Sequence, residues 1–268
     1  MKKKSQETVM AAKKVAETIE YIDEAAFEAA RQRIIGKKHD DKGIGTLSEK
    51  TLHAVLKAYY EPDEDNQEVA VNGYYADIYN QDGIIEIQTR QLGKLRDKLM
   101  VFLNEYNVRV VYPLPYEKYL SWIDPESGIV SSRRKSPKRY SIYDAMYELY
   151  RIKPFLKNPN LKVTVIMMDM EEYKLLNGWS YDKKRGAVRY DRIPVGIRKI
   201  IELDCPQDYM QFVPDGLEDG FTSADFARTA HIDKKTAGNV LAMLNYMEQV
   251  KRVGKKGNSF IYDIAEHY

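Results

Sequence analysis

Cysteine is all but absent from this sequence. The single Cys205 can close no disulfide within the chain, and no cysteine-based zinc site can form. Long hydrophobic runs are missing too. No stretch approaches the roughly 18 apolar residues that a membrane-spanning helix needs, so no membrane segment is expected. The opening Met-Lys-Lys-Lys is followed by no apolar run and does not read as a signal peptide, which fits a cytoplasmic protein. Charge imbalance is also lacking. Lys and Arg number 42 against 40 Asp and Glu, a formal +2, so only the placement of charge can speak for or against a nucleic-acid partner. Histidine is sparse: His39, His53, His231 and His267 are scattered and suggest no ligand set. The two tryptophans, Trp122 and Trp179, read as packing residues. No internal repeat and no low-complexity tail is visible.

What remains is ample for a folded protein. The 268 residues suffice for one large domain, or a medium one with a small companion, and 44% hydrophobic content supports a core. Helical periodicity covers residues 5–36, with Val15, Ile19, Ile22 and Ala26 in phase, and again from about Thr46 to Tyr60, with Leu47, Leu52, Val55, Leu56 and Tyr59. Glu61-Pro-Asp-Glu-Asp-Asn66 ends the second helix. Glu68 to Tyr79 is rich in Val and Tyr and broken at Asn72-Gly73, as two short strands would be. A further strand, Ile84–Thr89, follows an Asp-Gly turn. A helix from about Gln91 to Tyr106 carries Leu92, Leu95, Leu99 and Phe102 on one face. Strands are expected at Val108–Leu114 and Lys162–Asp169, with helix over Ile142–Leu156 between them. The segment Trp122–Tyr140 reads as an exposed loop or hairpin insertion, and Lys174–Arg192 as polar with a hairpin. Helix, strands, helix, strand predicts an α/β fold with a mixed sheet flanked by helices.

From Leu217 the pattern changes. A short helix capped by Thr222 or Ser223, a turn at His231-Ile232, a longer helix capped by Asp233, and a β-ribbon around Gly254-Lys-Lys-Gly-Asn258 follow in order. That is the order of a winged helix-turn-helix. The expected division is an N-terminal helical segment over 1–40, an α/β domain over 41–204 and the winged helix over 205–268.

The stretch Asp77 to Gln88 carries the most chemical information. Side chains two apart on a strand share a face about 7 Å from one another, which sets Glu86 beside Gln88, with Asp77 opposite in a suitable hairpin register. Glu86 lies within Ile-Ile-Glu-Ile, where an acid must be paired or metal-bound. A solvent-facing edge strand is the plainer reading of the same residues. Two carboxylates and an amide on one face can hold a hard divalent cation, as in a metal-dependent phosphodiesterase.

Glu49 on the helix Gly45–Lys57, then Asp77, then Glu86-x-Gln88, then a helix and a strand, resembles the PD-(D/E)XK nuclease superfamily over roughly residues 43–114, and most closely its smaller resolvase-like branches. The resemblance implies a restriction-endonuclease-like core. It implies Glu49, Asp77 and Glu86 as ligands of Mg2+ (or Mn2+), and Gln88 in the place of the usual lysine. Glutamine supplies neither a base nor a positive charge. Lys94, one turn into the next helix, is a candidate substitute, though an ordinary solvated lysine is the plainer reading of it. Ala76 stands where the pattern has proline.

Basic residues supply candidate DNA contacts: Arg133, Arg134, Lys135, Lys138 and Arg139 in one short run, Lys234 and Lys235 at the start of the presumed recognition helix, and Lys251, Arg252, Lys255 and Lys256 on the wing. Each set is also compatible with a solvated surface. The leading expectation is a Mg2+-dependent DNA endonuclease docking through its winged helix, with DNA as partner and a homodimer compatible with it. The alternatives are a non-catalytic DNA-binding regulator with a degenerate nuclease-like domain, and a scaffold that contacts another protein through the winged helix.

Overall fold

The computed structural model describes residues 22–40, 51–177 and 186–265. The first part, residues 5–21, of the helix predicted over 5–36, together with Glu49 and the residues around Trp179, lies outside the described residues.

Two helices, α1 (Glu24–Asp40) and α2 (Thr51–Tyr60), precede the sheet. Leu52, Val55 and Leu56 give α2 its buried stripe, as their spacing predicts. Strands β1 (Gln67–Val71) and β2 (Tyr74–Asn80) pair antiparallel around Asn72-Gly73. Both turn residues have positive φ, +46° and +83°, the backbone of a two-residue hairpin turn that only Asn and Gly enter cheaply. Strand β3 (Gly83–Ile87) pairs antiparallel with β2, then runs parallel to β4 (Val108–Ile123). The β3–β4 crossover is a turn of 3-10 helix at Leu92–Leu95 continuing into α3 (Arg96–Phe102).

Beyond this unit the sheet grows by a short strand β5 (Arg134–Lys135) folded back on β4, by β6 (Leu161–Leu175) parallel to β4, and by β7 (Val188–Leu203) antiparallel to β6. Seven strands thus form one mixed sheet in the order β1-β2-β3-β4-β6-β7, with β5 on the flank of β4. A helical stretch over 142–155, whose only α-helical turn is α4 (Met146–Leu149), links β5 to β6. The C-terminal unit comprises β8 (Phe221–Thr222), α5 (Ser223–Thr229), α6 (Lys234–Tyr246) and the ribbon β9 (Val250–Lys256)–β10 (Ser259–Ile264). Both predicted caps are in place. Thr222 exchanges hydrogen bonds with Asp225, and Asp233 accepts from the Lys235 and Thr236 N–H groups.

Helices cover both faces of the sheet. On one, Phe27 of α1 and the α2 stripe meet Ile78, Ile87, Val111, Ile166 and Met168. On the other, Leu99 and Phe102 of α3 meet Ile84, Val110 and Val163, and this core continues without a break into Phe226, Leu241 and Leu244 of the C-terminal unit. Tyr143 is the hinge of that continuity, its ring lying against both Phe212 and Phe226.

Gly83 opens the strand that carries Glu86. Its φ is +124°, and a Cβ there would lie 2.3 Å from the Asn107 carbonyl oxygen, which accepts the Ile84 N–H at 2.9 Å. Gly83→Ala is therefore expected to cost about 2 kcal/mol of unfolding free energy in a urea titration, through strain and loss of that bond. A loss under a few tenths would show that the turn adapts freely.

Candidate active site

The β2–β3 ladder ends at Ile78↔Ile85, while the pairing of β3 with β4 continues to Ile87. Asp77 and Glu86, the next residues outward, fall where the two strands part. The Asp77 carboxylate bridges the opening by accepting the Ile87 N–H at 2.7 Å, the place a ladder bond would have held. Asp77 and Glu86 both line one cavity of about 600 Å3, together with His53, Gln88, Arg90, Lys94 and Lys98. The expected convergence of strand aspartate and strand glutamate is thus seen.

Two residues that the sequence did not single out complete the cluster. Lys98 on α3 sets its Nζ 2.9 and 3.0 Å from the two Glu86 carboxylate oxygens and also donates to the Tyr75 carbonyl at 2.6 Å. Lys94 lines the same cavity from one turn earlier but makes no ion pair with Glu86. His53 on α2 places Nε2 3.2 Å from Asp77 Oδ2. The signal for His53 was its position four residues after Glu49, on one helix face if the helix begins where periodicity puts it. The Thr51 hydroxyl donates to Asp191 of β7, tying the start of α2 to the far side of the sheet and fixing the helix that presents His53.

Gln88 is committed to the loop that follows it. Its amide donates to the Arg90 and Gln91 carbonyls, bracing the turn that leads into α3. Gln91 itself holds a left-handed backbone, φ +52°, and the Leu92 N–H is taken by Glu148 at 2.8 Å.

The electrostatics set the two acids apart. Glu86 is 1% exposed. Burial, and then repulsion from Asp77, push its carboxyl up to about 7, against the pull of Lys98. Burial also presses Asp77 upward, but His53, the Ile87 N–H and Lys98 outweigh it and hold Asp77 below the ordinary carboxylate value. One site thus holds an ionised acid beside one poised near neutrality. Hard oxygen donors in a like-charge pair suit a divalent cation, which would relieve the repulsion that raises Glu86. Among the described residues no group of three His, Cys, Asp or Glu forms a complete ligand set. Glu49, the third ligand implied by the nuclease resemblance, lies outside them.

Residues 50–204, more than half of the chain, match the family described as Domain of unknown function (DUF8091). The chain belongs to that family. A Treponema pallidum (strain Nichols) protein described as uncharacterized is 32% identical over 167 residues, covering 62% of this chain. The match spans 64% of that relative's length. No solved structure matches the chain. The DUF8091 region contains the whole of the cavity lining, from His53 to Lys98.

The basic candidates are distributed over three surfaces. In the 133–139 run, Arg133 pairs with Glu171 at 3.2 Å, Lys135 with Glu117, and Lys138 with Asp144 at 3.4 Å. Among the described residues, Arg134 and Arg139 have no carboxylate partner. Lys234 and Lys235 are exposed at the first turn of α6, where Lys235 borders a cavity shared with Arg139 and Tyr140. Lys251, Arg252, Lys255 and Lys256 are exposed along β9, with Arg252 and Lys255 over the Phe260 ring at 4.2 and 4.9 Å. No helix among the described residues is long and apolar enough to cross a membrane.

Proposed function

We propose that this DUF8091 protein is a Mg2+-dependent DNA endonuclease of PD-(D/E)XK type, in which residues 51–123 supply a restriction-endonuclease-like core and residues 205–268 a winged helix that docks on DNA. The observation that carries the reading is the convergence of Asp77, Glu86 and the Lys98 ammonium on one cavity at the point where β2 and β3 part. The order α2-β1-β2-β3-α3-β4, with β3 and β4 parallel, supports it. Asp77 and Glu86, with Glu49, would hold the ion, which would supply a water of lowered pKa and offset charge on the phosphate oxygens.

The chain's own residues have separable tasks. His53 and the Ile87 N–H hold Asp77 ionised and oriented. Lys98 would supply, beside Glu86, the positive charge that Gln88 lacks. Gln88 keeps the β3–α3 turn closed. The test is plasmid and branched DNA incubated with Mg2+ or Mn2+, with chelator as control. Cleavage that needs the metal and falls on the order of 10²-fold in Lys98→Met, with DNA affinity in chelator little changed, fits the assigned role.

The commitment of the Gln88 amide to loop carbonyls favours a second reading, a regulator that binds DNA without cutting it. A gel shift with no cleavage in either metal would establish that reading and remove the first.

A further inference from the structure

The long outer half of β4 does not line the catalytic cavity, yet cations lie against aromatic rings along it. Beyond Val111, whose carbonyl accepts the Gln88 N–H, β4 continues eleven residues to Trp122, on the order of 35 Å. There β5 folds back along it, with Leu120 opposite Arg134. The Arg134 guanidinium lies 5.5 Å from the Trp122 ring centre, and Lys138 lies 4.1 Å from that of Tyr140, which Lys118 approaches from 5.5 Å. Tyr140 lines two adjoining cavities. One lies under the 135–140 turn and the other runs to the first turn of α6.

Positive charge links this arm to the catalytic cavity. The buried Glu172 is shared by Arg189 at 3.1 Å, Lys118 at 3.3 Å and Lys174 at 3.8 Å, one acid against three cations. Arg192 donates to the Thr89 carbonyl at 3.1 Å, and Thr89 lines the catalytic cavity. Among the described residues Arg192 has no carboxylate within ion-pair distance, and burial and then Arg189, only partly offset by the more distant Glu172, push its guanidinium down to about 10. A half-buried cation left in this state favours an incoming anion.

We propose that the outer half of β4, with β5 and the 136–140 turn, is a platform for an unpaired stretch of DNA, whose bases stack on Trp122 and Tyr140 and whose phosphates run past Arg134 and Arg192 toward the catalytic cavity. The platform deepens the nuclease reading, on which its DNA partner rests, by naming the substrate as duplex with a single-stranded segment. Bases in a duplex keep their faces to one another; only an unpaired base can displace Arg134 or Lys138 from an aromatic ring. Alternating cations and aromatics are what single-strand grooves use, while a duplex-backbone contact needs no rings. Trp122, which composition assigns to packing, is then a stacking residue.

The experiment uses the full chain with Trp179→Phe, leaving Trp122 as the sole tryptophan, in chelator so that nothing is cut. Titration with an oligothymidylate of about 15 nucleotides is expected to quench tryptophan fluorescence saturably, with affinity falling as salt rises and at least tenfold above that for a duplex of equal length. Trp122→Ala should weaken single-strand binding about tenfold, and the exposed Arg134→Glu, which leaves the core untouched, should do the same. Equal or tighter binding to duplex without quenching would overturn the platform, as would no binding. Loss of metal-dependent cleavage in Lys98→Met with quenching intact separates the two sites. Quenching in a protein that never cleaves would remove the nuclease reading and leave the platform standing.

Discussion

Glu86→Ala should abolish metal-dependent cleavage, lowering the rate by on the order of 10³-fold, while DNA affinity in chelator stays the same or rises slightly. The reason lies in where Glu86 sits. It is the most buried acid of the cavity, repelled by Asp77 and held by Lys98. Removing it would take away one of the proposed ion ligands and free Lys98, so that neither the ion nor the lysine would keep its place. Binding does not need Glu86, because a carboxylate beside a phosphate is repulsive until a cation intervenes. The effect should therefore fall on kcat and on the metal concentration needed for half-maximal rate rather than on KM for DNA. Near-UV circular dichroism of the variant would show whether the cavity survives. Full activity in a folded Glu86→Ala protein would place the chemistry elsewhere in the molecule. Arg133→Ala is the contrasting case, since Arg133 is already paired to Glu171 and its loss should barely move cleavage.

The approach of Asp77 to Glu86 was legible because a strand has a period of two and the turn between β2 and β3 is short. Lys98 was not. Lys94 and Lys98 stand four apart on one helical face, and which of them reaches Glu86 depends on the first turn being 3-10 helix. That tighter winding rotates everything after it by an amount no residue announces. The length of β4 and the existence of β7 were hidden by prolines. Pro113 and Pro115 argue against a central strand, yet both follow Val111, where β3 has ended and β4 has a free edge on that side. Pro194 falls on β7, the last strand in the sheet order. The basic run 133–139 looked unopposed because its acids, Glu117, Asp144 and Glu171, come from separate elements that only the fold assembles. The C-terminal helices and ribbon were readable from caps and turns alone, whereas their shared core with the sheet, through Tyr143 and Phe226, was not.

The poise of Glu86 can be measured without any substrate. Its carboxyl stands at about 7 in the folded protein against an ordinary 4.5, so the native state holds the Glu86 proton more tightly than the unfolded chain does. The group's contribution to stability is then full below 4.5 and is lost as pH rises through 7. At 1.36 kcal/mol for each pH unit of separation, the loss is about 3 kcal/mol. Glu86→Gln keeps the shape and removes the titration. Unfolding free energies of the two proteins, measured by urea from pH 4.5 to 8.5, should diverge in favour of the glutamine variant by about 3 kcal/mol, with the divergence complete by about pH 8. The pull of Lys98 on the ionised carboxylate is already contained in the value of about 7, so it adds no separate pH dependence to the difference. Asp77 runs the other way. Its depressed carboxyl stabilises the fold above its ordinary value and is lost only as pH falls further, outside the window in which Glu86 titrates. If the site takes Mg2+ as proposed, the added ion should shrink the wild-type deficit at pH 8 and leave the glutamine variant nearly unmoved, because it would replace the proton between the two carboxylates. A pH-independent difference would mean that Glu86 is ionised throughout, neutralised by Lys98 as an ordinary ion pair, and would leave no acid poised near neutrality in the cavity.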